Sequence, residues 1–186
     1  MTFFDRTTMT WNFRPMAQPA PMRRGVLMLM LAGVLGGCGV VSGAGALLGL
    51  GPKPVEPEWK TLALQASDDA NDNSALAVDV VLVRDAAVLE SLLAMPASKW
   101  FATRADVRRS FPDALTVYSY EIVPSQSIKL SDRLWRSEQG WAALVYASYA
   151  TPGEHRARLL LSASGYVVRL GAQGFEAGEI RPGAAQ

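Results

Sequence analysis

The chain has 186 residues, with 18 Lys/Arg against 17 Asp/Glu, one histidine and one cysteine. That balance leaves no basic footprint for nucleic acid, and a lone cysteine with a lone histidine can build neither an internal disulfide nor the ligand set of a zinc site. From Cys38 onward 149 residues remain, with 14 Lys/Arg against 16 Asp/Glu, enough for one domain with a core of its own. Residues 1–21, with Asp5, Trp11, Pro15, Pro19 and Pro21, lack the pattern of an export signal. Met16 and Met22 are alternative starts, and the upstream piece reads as a start-site overcall or a disordered extension.

Arg23 and Arg24 precede an uncharged apolar run, Gly25 to Gly37, that ends in Leu35-Gly36-Gly37-Cys38. Positive residues, a short apolar core and small residues before a cut are the parts of a secretory signal. The Leu-small-small-Cys ending resembles the lipobox of bacterial lipoproteins. It implies a signal peptide over 1–37 and a mature chain that begins at Cys38, carrying diacylglycerol on sulfur and an N-acyl (palmitate-type) chain. No other cofactor is expected. Two readings compete. Cys38 could be a small buried hydrophobe. Alternatively, Gly25 to Leu50, long enough and uncharged enough to span a bilayer, could be an uncleaved anchor, although its eight glycines weaken it as a helix.

Residues 38–58 read as a tether, first Gly/Ala/Leu-rich and flexible, then stiffened by Pro52, Pro54 and Pro57. Gly43, Gly45 and Gly49 fail as a dinucleotide fingerprint because no strand precedes them and the third glycine comes late. The globular part is expected over 59–170. Trp59 to Ala66 predicts a strand, Ser67 to Ser74 a polar loop of turn formers, and Ala75 to Val83 a β-branched strand whose one charge is Asp79. Asp85 can cap a helix over Ala86 to Met95, with Val88, Leu89, Leu92 and Leu93 on one stripe, and Pro96 stops it. Ser98 then caps a second helix with Trp100, Phe101, Val107 and Phe111 at its apolar positions. The insertion as a whole covers 85–111. Strands follow at Ala114 to Val123, Ser127 to Leu130, Trp141 to Ala150, Ala157 to Leu161 and Tyr166 to Leu170, the last two as a hairpin about Ser162-Ala-Ser-Gly165. Residues 171–186 read as a flexible tail. Six or seven short strands with turn punctuation predict a mainly β fold, a β-sandwich with a two-helix insertion after the second strand.

Candidate chemistry is sparse. His155 is the only side chain that could serve a Ser–His–Asp arrangement as base, and in Thr-Pro-Gly-Glu-His-Arg it reads as an exposed turn residue. Asp69-x-Asn71-x-Asn73 matches the start of a calcium loop, but Ser74 and Val80 stand where glycine and glutamate are required. The stretch therefore reads as a solvated loop. Asp79 is expected to face solvent or pair locally, Arg108 and Arg109 to form the wet side of their helix, and Trp100, Trp135 and Trp141 to be core.

The β-region resembles the outer-membrane lipoprotein of the type VI secretion system, the TssJ family. The matching runs are Ile122-Val-Pro124-Ser-Gln126 with Ile128 and Leu130, and Ala142-Ala-Leu-Val-Tyr146-Ala-Ser-Tyr149, with Ser125 where the family usually has glycine. The early loop with Asn71 and Asn73 resembles the family's Asn-containing loop between its first two strands. The helix Ser98 to Ser110 is longer and more basic than the family pattern. The resemblance implies a transthyretin-like sandwich without enzymatic activity. It further implies an anchor in the outer membrane, facing the periplasm, that tethers a secretion complex by binding the periplasmic part of an inner-membrane subunit, TssM. Asp68, Asp69, Asn71, Asp72 and Asn73 become the candidate partner contacts, and the soluble domain is expected to be monomeric. Gly39 fits outer-membrane sorting, because it lacks the carboxylate that retains enterobacterial lipoproteins at the inner membrane. The alternatives are a lipoprotein of another envelope assembly, pilus or peptidoglycan-associated, and a small-ligand carrier.

Overall fold

The computed structural model describes residues 53–181. The signal over 1–37, Cys38, residues 38–52 of the tether and residues 182–186 lie outside the described residues. No helix among the described residues is long and apolar enough to cross a membrane.

The fold is mainly β. Eight strands, β1 Thr61–Ala66, β2 Leu76–Val83, β3 Leu115–Ile122, β4 Ser127–Leu130, β5 Ala142–Ala147, β6 Arg156–Leu159, β7 Gly165–Leu170 and β8 Phe175–Glu179, form two four-stranded sheets. One runs β4-β1-β7-β8 and the other β3-β2-β5-β6. Every pairing is antiparallel except β1 with β7. Strand β2 shows why the sheets stack: Val78, Val80 and Leu82 point into the inter-sheet core with Leu62, Leu64, Val145 and Val168. Its alternate residues, Val81 and Val83, join Leu144 and Tyr146 in a second core on the other face. A strand buried on both faces must be apolar at consecutive positions, and all six residues of β5 are buried.

The second core is closed by two helices inserted between β2 and β3, α1 Ala86–Leu93 and α2 Ala97–Ser110. The Asp85 carboxylate caps α1 by accepting from Val88 N at 2.9 Å, and Val88, Leu89 and Leu92 face the sheet. Ser98 does not cap α2. The helix starts two residues earlier, behind Pro96, because Ala97 N donates to Glu154 O at 2.9 Å and needs no side-chain acceptor. Only Ala97 and Trp100 of α2 are buried, and Phe111 is exposed.

Two expectations are corrected. The segment 157–170 is not a hairpin: β6 pairs with β5, whereas β7 lies between β1 and β8 in the other sheet. The chain crosses over at Leu161 and Ala163, which are buried, while Leu161 O and Ser164 O accept from Glu58 N and Lys60 N. Gly165 makes the crossing possible, since a Cβ there would lie 2.3 Å from Thr61 O. The flexible tail is likewise corrected, because Phe175–Glu179 pairs along β7 in register from Leu170↔Phe175 to Tyr166↔Glu179. Phe175 and Ala177 turn towards the core, which holds the strand despite its low β-propensity.

Candidate partner-binding site

Strand direction gives the domain two unlike ends. The chain enters through residues 53–60, β1 carries it across about 20 Å, and the polar loop Ser67 to Ser74 begins at the far end. The β3–β4, β5–β6 and β7–β8 connections meet it there: Ser125 N donates to Ser67 O, and Ser67 N to Leu170 O, both at 2.9 Å.

Within this loop Asn71, Asp72 and Asn73 all have left-handed φ values of 48°, 51° and 61°. Asn and Asp tolerate that region singly, but a run of three is costly and needs outside support. The support comes from neighbouring loops. Asn71 N donates to Gly171 O at 3.1 Å and Asp72 N to Ala172 O at 3.2 Å. The Asn71 side chain donates to Ala75 O at 3.1 Å and accepts from Ala150 N at 2.9 Å. Asn71 is therefore buried and ties three loops together, which takes it out of the set of accessible contacts. Asp68, Asp69, Asp72 and Asn73 are exposed. The loop presents three carboxylates on a backbone fixed from beneath. The same geometry removes the calcium reading, since the Asn71 amide is spent on backbone groups. No cluster of metal-ligating side chains occurs among the described residues.

The β5–β6 loop is braced against the same end. Tyr149 donates its hydroxyl to Gly174 O at 2.7 Å, and burial pushes its phenol up to about 12. His155, with φ 40°, sets Nε2 2.8 Å from Thr151 O and packs its ring 4.6 Å from that of Tyr149. It is a half-buried turn brace rather than an exposed residue. Beside the polar loop an open groove of about 690 Å³ runs over the outer face of β1, β7 and β8, past Gln65, Ser67, Arg169 and Glu176.

A second polar cluster lies on the opposite face of the other sheet. Asp79 is fully buried, not solvent-facing, and its Oδ2 accepts from Trp100 Nε1 and Arg104, each at 2.8 Å. Trp100 stacks on Tyr146 at 5.0 Å between centroids, and burial raises the Tyr146 phenol far above its ordinary value. A buried charge needs a partner, and α2 brings one. The partners lie one helical turn apart on an element distant in sequence, so no local pattern reveals them. Trp135 is buried as expected, while Trp141 is half-buried; Arg108 and Arg109 are exposed.

The described residues thus define a β-sandwich with a helical layer on one sheet and a braced, acidic loop at one end. Among solved structures the chain is similar to the Lip protein of Serratia marcescens, titled a membrane-bound component of the type VI secretion system (14% identity, 63% of this chain and 95% of that chain, TM-score 0.47). It is also similar to the type VI lipoprotein TssJ1 of Pseudomonas aeruginosa (13% identity, 70% and 98%, TM-score 0.48). A third similar chain belongs to a structure titled type VI membrane complex (13% identity, 64% and 98%, TM-score 0.46). No family model and no curated protein matches the chain.

Proposed function

We propose that the protein is a lipid-anchored scaffold of the bacterial envelope, of the type VI secretion kind. Cys38 carries the diacylglycerol and the N-acyl chain, which hold the protein in the outer membrane facing the periplasm. The domain acts as a tether rather than a catalyst. It binds the periplasmic part of a TssM-like inner-membrane subunit through Asp68, Asp69, Asp72 and Asn73. The observation that carries this reading is the polarity of the domain: the chain enters through residues 53–60 at one end, and the braced acidic loop stands at the other, beyond the length of β1. A membrane hold, a spacer and a rigid recognition loop at the end of the domain remote from the chain's entry are the parts a tether requires. The lipobox-like Leu35-Gly36-Gly37-Cys38 and the TssJ-like runs at Ile122 to Leu130 and Ala142 to Tyr149 support it.

Two variants test the reading. Cys38→Ser should abolish fatty-acid labelling and release the protein from the membrane fraction; retained labelling ends the lipoprotein reading. Asp68, Asp69 and Asp72 changed together to Asn, with Asn71 kept, should leave the circular dichroism spectrum unchanged and weaken capture of the inner-membrane subunit from envelope extracts. A folded, localised variant that captures the subunit as well as the parent chain rules the loop out. Capture of pilus or peptidoglycan-associated components instead would assign the scaffold to another assembly.

A further inference from the structure

Among the described residues five large hydrophobic side chains are exposed: Val55 at 49%, Phe111 at 46%, Val123 at 49%, Leu134 at 39% and Leu160 at 51%. Scattered singly, such residues are ordinary. Their placement here is not scattered. Val123 lies alone at the acidic-loop end, in the turn after β3. The other four surround the place where the chain enters the domain. Val55 pairs with Gly140. Leu160 O accepts from Trp59 Nε1 at 2.8 Å, and Trp59 meets the ring of Trp135, the neighbour of Leu134, at 5.3 Å. Phe111 lies at the same end, its O accepting from Ala114 N, and Arg84 links Ala114, whose O accepts from Arg84 N, to Glu138 through its guanidinium.

We propose that this end of the domain seats on the phospholipid headgroup layer of the membrane that holds the anchor, with Val55, Phe111, Leu134 and Leu160 entering the interface. The inference rests on Cys38 being lipidated. Residues 38–53 can span at most about 58 Å even when fully drawn out, so the lipid keeps this end within that reach of the bilayer. At such short range even a weak contact is occupied, because linkage replaces bulk concentration with a high local one. Charge points to ordinary phospholipid rather than to an acidic protein. Around Leu134, Arg136 pairs with Asp132 at 3.0 Å and Arg84 with Glu138, and Arg133 stands exposed beside them. The surface therefore joins exposed apolar side chains to mostly paired charge with a basic residue to spare, a combination that settles into a headgroup layer chiefly through its apolar area. Seating this end also directs the Ser67 to Ser74 loop away from the bilayer.

Lipidation consumes the only natural cysteine, so an introduced cysteine is the sole free thiol of the full chain. Leu160→Cys and, separately, Val123→Cys are labelled with an environment-sensitive dye, and the lipidated protein is placed in phosphatidylethanolamine/phosphatidylglycerol vesicles. The label at 160 should shift to the blue and be quenched by brominated acyl chains, while the label at 123 stays in water. Changing Phe111 and Leu134 to Ser should lower the quenched fraction at 160 about tenfold, the loss expected for two half-exposed apolar side chains. The shift should survive about 1 M salt, where charge contacts are screened within about 3 Å. A label at 160 as wet as that at 123 overturns the proposal. So does shielding at 160 without vesicles, which would mean a second copy covers this end. Mass spectrometry of Cys38 separates the two readings. Were Cys38 free of lipid, the lipoprotein reading would fall and take the seat with it; a wet label at 160 on a chain whose Cys38 carries lipid overturns the seat alone.

Discussion

The sheet β3-β2-β5-β6 carries a layer of helices on its outer face, whereas β4-β1-β7-β8 leaves that face to solvent, and the strands differ accordingly. In the covered sheet β5 is buried at every residue and β2 at all but one. In the open sheet, β1 and β7 alternate core residues such as Leu64 and Val168 with Gln65 and Arg169 on the surface. A face closed by helices cannot use water to solvate a charge, so Asp79 is tolerated only because Trp100 and Arg104 arrive with the cover. A face left to water imposes no such demand, and the open sheet can vary its surface freely.

The difference is broken most directly from the covered side. Trp100→Ala removes a ring stacked on Tyr146 and a donor to Asp79, and should cost about 3–5 kcal/mol in denaturant unfolding. A loss below about 1 kcal/mol, well under the usual cost of a truncated core aromatic, would mean the helical layer is an appendage. In the open sheet the sensitive point is backbone rather than side chain: Gly165→Ala drives a methyl into Thr61 O and should cost about 1–3 kcal/mol. The turn that carries the chain from one sheet to the other offers a gain. Ser125 holds a left-handed φ of 64°, and Ser125→Gly should stabilise by about 0.5–1 kcal/mol once glycine's extra unfolded-state freedom is set against the relief. Least affected should be the open face itself, where Arg169→Ala should stay within about 0.5 kcal/mol. A larger loss there would show that the face is occupied by something other than water.

Much of this was legible before the fold was seen. The continuous apolar run at Ala142 to Ala147 and the β-branched run at Leu76 to Val83 announce themselves as strands, and Asp85 announces the start of α1. What escaped has a common cause, namely that sequence reports local geometry and not the partner across space. Ser162-Ala-Ser-Gly165 signals a reversal but not that the chain changes sheets. Phe175–Glu179 has no β-branched residue and is held by register with β7. Asp79 looks like a surface charge because its partners sit on α2. Of the candidate contacts, Asp68, Asp69, Asp72 and Asn73 are exposed as expected of a solvated loop. Asn71 turned inward because three loops need an amide with both a donor and an acceptor.

The parallel alliance of β1 with β7 has a consequence for how the domain comes into being. Thr61–Ala66 pairs on one side with Ser127–Leu130 and on the other with Gly165–Leu170, so both neighbours of β1 are made long after it. A chain made from its N-terminus keeps β1 single-edged or unpaired until Gly165–Leu170 exists. Contacts between positions about 100 residues apart slow closure, because loop entropy is lost before any pairing is gained. During that interval Leu62 and Leu64 stand uncovered on an open strand, next to the very stretch that links the domain to Cys38. The nascent protein is therefore most prone to associate with its neighbours before Gly165–Leu170 has been made, and it needs shelter at β1 first.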